Sequence, residues 1–386
     1  TVFFALKYYQ NVGSFVVPHQ AVKPNDRLTG PFRCGQTVRK RREVFIMKKR
    51  LLAMLMTGAM VASLAACGGG STTGGDTQTD SNKGGDTASS GSGCSVDVIL
   101  KTTASEYWSY VKAGAEAYSK DNPDVKVEVK GATSETAYDE QQNMIETDLN
   151  SGAYDAFVIA PLQADLVKTL IAGKTDPIIA VDTNIDAPEV LSFVGTGNED
   201  AAAMGGKEAV KAAQDAGWSD IKAIAISGVQ GDGTAMARLS GYEKGVTEAG
   251  GEFLKGEIQY ADAVADKAAT SMEAIMQNHP EGIAIIVCNN DDMAMAAARA
   301  AKGNAAYEKT IFVGFDGIQS ACNAILAGEE TMSVAQEAYD MGYKAVEAAV
   351  KAVNGETLDK FIDSGCSVVT KDNAQERLDT LKGYIG

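Results

Sequence analysis

Histidine is nearly absent: His19 and His279 are the two among 386 residues. Six cysteines are present, with no C-x-x-C and no Cys/His pair. That spacing argues against a zinc site, whose Cys and His ligands typically come in close sequence pairs. No Gly-x-Ser-x-Gly occurs and no histidine lies near a nucleophile, so nothing supports covalent hydrolytic catalysis. The chain reads as a non-enzyme without cofactor or metal. "GVQGDG" (228–233) follows a strand-like run but lacks Gly-x-Gly-x-x-Gly spacing and a Walker lysine, which argues against a nucleotide. Basic charge is scarce once residue 66 is passed. The first 66 residues hold 11 of 35 Lys/Arg and 2 of 51 Asp/Glu, leaving 24 basic against 49 acidic residues, a net charge near −25. A surface of that sign repels nucleic acid and anionic head groups.

Long apolar runs are also missing. "LLAMLMTGAMVASLAA" (51–66) has 16 residues, short of the roughly 20 that span a bilayer. It follows Met47-Lys48-Lys49-Arg50 and ends in small residues, the order of a secretory signal. Leu64-Ala65-Ala66-Cys67 looks like a bacterial lipobox. Residues 47–66 are thus expected to be a lipoprotein signal peptide, with Cys67 the lipid-bearing first residue of the mature protein. Residues 1–46 show no sustained period and are expected to be upstream sequence translated in frame, the alternative being a basic arm. Residues 67–93 hold the lipidated cysteine and a Gly/Ser/Thr/Asp linker with nothing to build a core, a flexible tether of roughly 30 Å r.m.s. span. The expected location is the outer, extracytoplasmic side of the cell membrane.

From residue 95, apolar runs alternate with helical patterns. The runs are 96–100, 125–129, 156–160, 177–181, 191–195, 221–227, 283–287, 310–315 and 331–335. Ala-rich helical stretches such as 108–120, 235–250 and 291–302 separate many of them. Several runs are apolar throughout, as in parallel strands covered on both faces. Repeated βα units imply an α/β fold with right-handed crossovers. The length suits two doubly wound lobes.

Ligands of open α/β sheets bind beyond the carboxyl ends of the strands. Those ends here carry Lys101, Ser105 with Tyr107-Trp108, Gln163, Asp182, Asn198, Arg238, Asn290, Asp316 and Gln336. One polar strand end means little, since Asp and Asn also cap helices; Asn290 has that alternative and Asp316 in "GFDG" that of a turn residue. Together they describe a polar cleft. Planar carboxylates, amides and a guanidinium match adjacent hydroxyls, and the aromatic pair offers flat faces for a sugar. Too few cations converge for a phosphate. Asp291 and Asp292 read as helix-start charges, 231–233 as loop, and Trp218 as packing at a helix end. Cys94 and Cys366 flank the folded part and are candidates to pair, though four free thiols are the favoured reading.

"VILKTTASEYWSYVKAGAEA", "VIAPLQADLV", "IIAVDTN", "MARLSGYEKG", "CNNDDMAMAAARA", "FVGFDGIQSACNAILAGE" and "SVAQEAYDMGYKAVE" resemble the ribose/allose/galactose class of periplasmic sugar-binding proteins. The resemblance covers most of 95–370 in the family's order. It implies the type I periplasmic binding fold: two Rossmann-like lobes joined by a three-crossing hinge, here 94–197 plus 337–364 and 198–336 plus 365–386. It implies a monomer that captures a sugar and serves an ABC permease. Lys101, Ser105, Tyr107, Trp108, Gln163 and Asp182 fall on first-lobe contacts; Arg238, Asn290, Asp316 and Gln336 fall on second-lobe and hinge contacts. The same fold also serves as a sensor for chemotaxis or a two-component kinase, or binds nucleoside or autoinducer-type ligands. The chain departs from its class at Ser105-Glu106, where Asn-Pro is common, at Thr183, where a base is common, and at Ala263, where an aromatic is common. Tyr260 is the remaining candidate for that second aromatic clamp.

Overall fold

The computed structural model describes residues 93–385; the upstream stretch, the signal segment, Cys67 and most of the linker lie outside them. Two sheets organise the described chain. The first is wholly parallel, in spatial order β12-β5-β4-β3-β1-β2. Its strands are β1 (Cys94–Thr102), β2 (Val125–Ala132), β3 (Ala156–Ile159), β4 (Ile178–Val181), β5 (Val190–Gly195) and β12 (Phe361–Asp363). Helices α1 (Glu106–Asp121), α2 (Tyr138–Ser151) and α3 (Ala164–Ile171) make its crossovers. The buried runs of β1, β3 and β4 leave no polar face for solvent, which is why they read as continuous apolar stretches.

The second sheet runs β13-β11-β10-β9-β6-β7, with β8 also against β6. Its strands are β6 (Lys222–Ser227), β7 (Glu252–Phe253), β8 (Gln259–Tyr260), β9 (Ile285–Cys288), β10 (Ile311–Asp316), β11 (Met332–Gln336) and β13 (Cys366–Val369). All pairs are parallel except β11 with β13. Helices α4 (Asn198–Asp215), α5 (Gly233–Glu248), α6 (Ala265–Asn278), α7 (Asp291–Ala301) and α8 (Gln319–Ala327) cover it. Helix α9 (Ala338–Val353) returns to the first lobe, and α10 (Ala374–Ile385) packs on α8 and α1.

The chain therefore passes between sheets three times: from β5 to α4, from β11 to α9, and from β12 to β13. Around these passages Ser364 N–H donates to Gly195 O (2.8 Å). Arg377 donates to Glu337 Oε2 (2.7 Å), Gln336 O (2.6 Å) and Gly317 O (3.2 Å).

Small residues let covering helices approach. A Cβ on Gly342 of α9 would overlap the carbonyl of Val111 in α1, and one on Gly114 that of Tyr339. The nine apolar runs all fall on strands. Four strands escape the sequence pattern: β7 and β8 have two residues each, and β12 and β13 are short and largely exposed at sheet edges. Cys94 and Cys366 are free thiols, as are buried Cys288 and Cys322.

Candidate binding cleft

Both sheets point their carboxyl ends at one cavity of about 330 Å³. Lys101, Ser105, Tyr107, Trp108 and Asp182 line it from the first lobe; Arg238, Asn290 and Asp316 line it from the second. Each lobe builds its wall around one carboxylate, buried Asp182 in the first and partly buried Asp316 in the second.

In the first lobe, Asp182 follows β4 with φ of 61°. It accepts from Tyr107 Oη (2.8 Å) and from Thr183 Oγ1 (2.8 Å). Lys101 Nζ lies 3.8 Å away. Burial pulls the Lys101 ammonium toward neutrality, but Asp182 foremost, with Asp232 and Glu135, outweighs it and leaves its pKa above the ordinary value. Burial first, then Asp182 and Asp316, pushes the Tyr107 phenol well above its usual range, so it acts as a donor. Tyr107 and Trp108 meet edge to face at 5.1 Å. Trp108 Nε1 donates to Glu135 Oε1 (2.9 Å). Ser105 caps α1, accepting from Trp108 N–H.

In the second lobe, Asp316 ends β10 with φ of 119°, a conformation that non-glycine residues seldom hold unless the surroundings enforce it. Gln336 Nε2 donates to its Oδ1 (2.8 Å), and Arg238 Nη1 stands 3.8 Å away. Arg238 is itself fixed: Nε donates to Asn198 Oδ1 (2.8 Å), Nη1 to Asn289 O (2.7 Å), and the guanidinium lies 3.8 Å over Phe315. Burial raises the Asp316 carboxyl well above its usual range; Arg238 and Gln336 oppose this, Asp291 and Asp182 add to it. Asn290 lines the cavity and also caps α7, accepting from Met293 N–H (3.0 Å).

Two expected contacts sit elsewhere. Gln163 is exposed and does not line the cavity. It starts α3, and Gln141 from α2 fills the polar position inside: its Nε2 donates to Leu100 O and Ala160 O, and its Oε1 accepts from Leu162 N–H. Gln336 is buried behind Asp316 and positions that carboxylate rather than lining the cavity. Tyr260 is 38% exposed and off the cavity; Ala263 and Val264 line the wall in its place. Glu135, Thr234 and Asn289, none of them an expected contact, also line it, and so does Asp232, which was read as loop and caps α5. Asp291, read as a helix-start charge, does begin α7, but it is fully buried and accepts from Ser333 Oγ (2.5 Å) and Ile318 N–H (3.0 Å). Asp292 reaches the cavity wall. Among the described residues no group of three metal-ligating side chains occurs, and no helix is long and apolar enough to cross a membrane.

Two parallel α/β lobes with a shared hinge and one polar cavity between them define a bilobal small-molecule receptor. Residues 96–357 match the periplasmic binding protein domain, and the chain belongs to that family. It is 30% identical over 265 residues to the D-allose-binding periplasmic protein of Escherichia coli (strain K12), covering 66% of this chain and 83% of that one. It is 27% identical over 282 residues to a putative rhizopine-binding protein of Rhizobium meliloti, covering 70% and 88%. A solved carbohydrate transporter solute binding protein from Agrobacterium radiobacter, in complex with D-arabinose, superposes with a TM-score of 0.68 at 26% identity, over 76% of this chain and 99% of that one.

Proposed function

We propose that this chain is the extracytoplasmic solute-binding component of an ABC importer. It captures a monosaccharide or related polyol by lobe closure and hands it to the permease. The carrying observation is the paired arrangement of Asp182 with Lys101 and Tyr107 on one wall and Asp316 with Arg238 on the other. Charged planar groups facing one another across a cavity suit a ligand with hydroxyls on both edges. The relatives named for allose and ribose, and the arabinose-bound neighbour, support the same ligand class. Lys101, Ser105, Tyr107, Trp108, Asp182, Arg238, Asn290 and Asp316 are the proposed contacts, with Gln336 holding Asp316 in place. The work is binding, not turnover.

Closure supplies few bonds between the lobes themselves. Thr183 Oγ1 meets Thr234 Oγ1 at 3.0 Å, and Ser320 Oγ donates to Glu106 Oε2 at 2.5 Å. A ligand touching both walls favours the closed state by its differential affinity. The lipid on Cys67 would keep the monomer beside its permease.

A thermal-shift screen of the full chain against pentoses, hexoses, inositols and nucleosides tests the reading. Saturation at 100–1,000 times Kd stabilises by roughly 3–4 kcal/mol. Stabilisation by nucleosides alone, or by none of these compounds, would defeat it. Mass spectrometry of the mature amino terminus checks the lipid: an unmodified Cys67 rules the anchor out.

A further inference from the structure

On the solute-binding reading above, the aim of the Asp316 carboxylate matters, and its backbone is not self-supporting. Asp316 has φ of 119° and Gly317 after it φ of 67°. Glycine adopts such a value freely. Aspartate does not, so contacts from elsewhere must hold this turn. Gln336 holds the Asp316 side chain, and Arg377 reaches the Gly317 carbonyl (3.2 Å). The two N–H groups that follow Asp316 are held by a pair outside the cavity. Gly317 N–H donates to Ser333 Oγ (3.0 Å), and Ile318 N–H donates to Asp291 Oδ2 (3.0 Å). Ser333 Oγ in turn donates to Asp291 Oδ1 (2.5 Å). Asp291 and Ser333 are fully buried, and neither lines the cavity.

Two features point to placement rather than to core packing. Asp291 follows Asn290, which does line the cavity. One carboxylate thus ties the start of α7 to the turn after β10 and sets two cleft contacts relative to each other. The bonds also require a carboxylate, because both of its oxygens accept. An amide at this position would bring one acceptor and an NH₂ donor to a place where two donors arrive. Charge is a costly brace for an apolar core. Burial raises the Asp291 carboxyl to about 7, against Ser333, Ile318 and Gly317, which favour the charged form. The titratable groups facing it are Asp292, Glu330, Asp316, Cys288, Cys322 and Tyr242. These are acids, thiols and a phenol, so the charged form depends on the three donors.

We infer that Asp291 and Ser333 are positioning residues for Asp316: together they fix the turn over 316–318 and so aim that carboxylate into the cleft.

The test is titration calorimetry on the full chain at about pH 8 and about pH 6, either side of the Asp291 titration. The probes are D-allose, D-ribose, D-arabinose and myo-inositol, and the variants are compared on whichever the wild type binds most tightly. At the higher pH, Asp291→Asn and Ser333→Ala, both checked as folded by circular dichroism, each weaken binding about tenfold, as for a lost bond to a charged group. Protonating Asp291 does the same to the wild type. Its affinity therefore falls about fivefold more than that of Asp291→Asn between the two pH values, a difference that a brace of the core alone would not produce. An unchanged Kd in Ser333→Ala, or equal pH dependence in wild type and Asp291→Asn, overturns the inference and leaves the sugar reading standing. If none of the four probes binds the wild type, the failure lies with the sugar reading, and a ligand-free crystal structure of Ser333→Ala decides the inference. Asp316 leaves the positive-φ region if Ser333 holds the turn, and a φ still near 119° refutes it.

Discussion

Arg238→Met probes the second-lobe wall most directly. Arg238 is 5% exposed. It makes two hydrogen bonds of 2.8 and 2.7 Å, faces Asp316 at 3.8 Å and covers the Phe315 ring. Methionine keeps much of the stem's packing and removes the charge. Breaking a buried pair from one side costs about 3–5 kcal/mol, because the remaining charge is stranded. Asp316 has an escape, since its carboxyl is already held far above the usual range and takes up a proton. The loss therefore belongs at the lower end, about 3 kcal/mol. Adding Asp316→Asn removes the stranded group, so the double variant loses about 1–2 kcal/mol less than the two single losses summed, the coupling of the pair. Urea unfolding of the four members of this cycle, at constant pH and without ligand, measures it. Free energies that add within about 0.5 kcal/mol would show that Arg238 and Asp316 do not depend on one another, and the picture of a coupled wall would be wrong.

Tyr107→Phe deletes the donor to Asp182 and weakens the sugar identified by screening about tenfold, as for a lost bond to a charged group; calorimetry reads it, and an unchanged Kd would remove Tyr107 from the site. Gln163→Ala leaves affinity unchanged, whereas Gln336→Ala weakens it by freeing Asp316; equal effects in the same titration would contradict the placement of the two glutamines. Buried Asp291 is raised to about 7 by burial, and Glu330, buried with both oxygens unpartnered, is raised well above its usual range by burial and then by Asp291 and Asp292. Folded pKa values above the unfolded ones mean that the native state binds more protons, so stability falls as pH rises from about 5 through 7, by up to about 1.4 kcal/mol per pH unit per proton. Asp97, also raised to about 7 by burial, adds to the same slope, so Glu330→Gln flattens the urea-derived profile in part, and an unchanged slope speaks against the Asp291–Glu330 pair. Gly342→Ala forces α9 off the Val111 carbonyl and costs about 1–3 kcal/mol in the same unfolding assay.

The strands were legible because a parallel strand covered on both faces cannot hide its composition, and β1, β3, β4, β9 and β10 are buried almost end to end. The edge strands were not. β12 pairs only with β5 and exposes Phe361, so nothing in its three residues marks it as a strand. The polar strand ends also carried over, since eight of the ten expected side chains reach the cavity. Direction was the missing information. Gln163 and Leu162 are adjacent, yet the turn after β3 sends Leu162 to the cavity and Gln163 to solvent. Glu135 lies just past the carboxyl end of β2, but the apolar run 125–129 stops short of that end, so the true strand terminus at Ala132 was hidden. The positive φ of Asp182 and Asp316 has no signature either, because aspartate occupies many turns without strain. These two positive-φ residues stand at the centre of the two walls, and the 119° of Asp316 is the one that the surroundings must enforce.

This arrangement constrains how closure is driven. Asp182, Lys101, Tyr107 and Thr183 all belong to the first lobe, and Asp316, Arg238, Gln336 and Asn198 to the second. Each half-site is assembled within its own lobe, so opening the hinge need not disassemble either one. A ligand thus meets a preset wall on first contact and gains the second wall only on closure, which makes the second set of contacts the differential term. Moving an equilibrium from 1:99 open-favoured to 99:1 closed requires about 5.5 kcal/mol of such difference. Hydrogen bonds between the lobes are few, chiefly the Thr183–Thr234 and Glu106–Ser320 contacts. A ligand touching both walls supplies a further difference, on top of the apolar packing of Tyr107 and Trp108 with Ile318 and Cys322. A compound that reaches only the Asp182 wall is bound but leaves the hinge open, and small-angle scattering with such a fragment would show an unchanged radius of gyration beside measurable affinity.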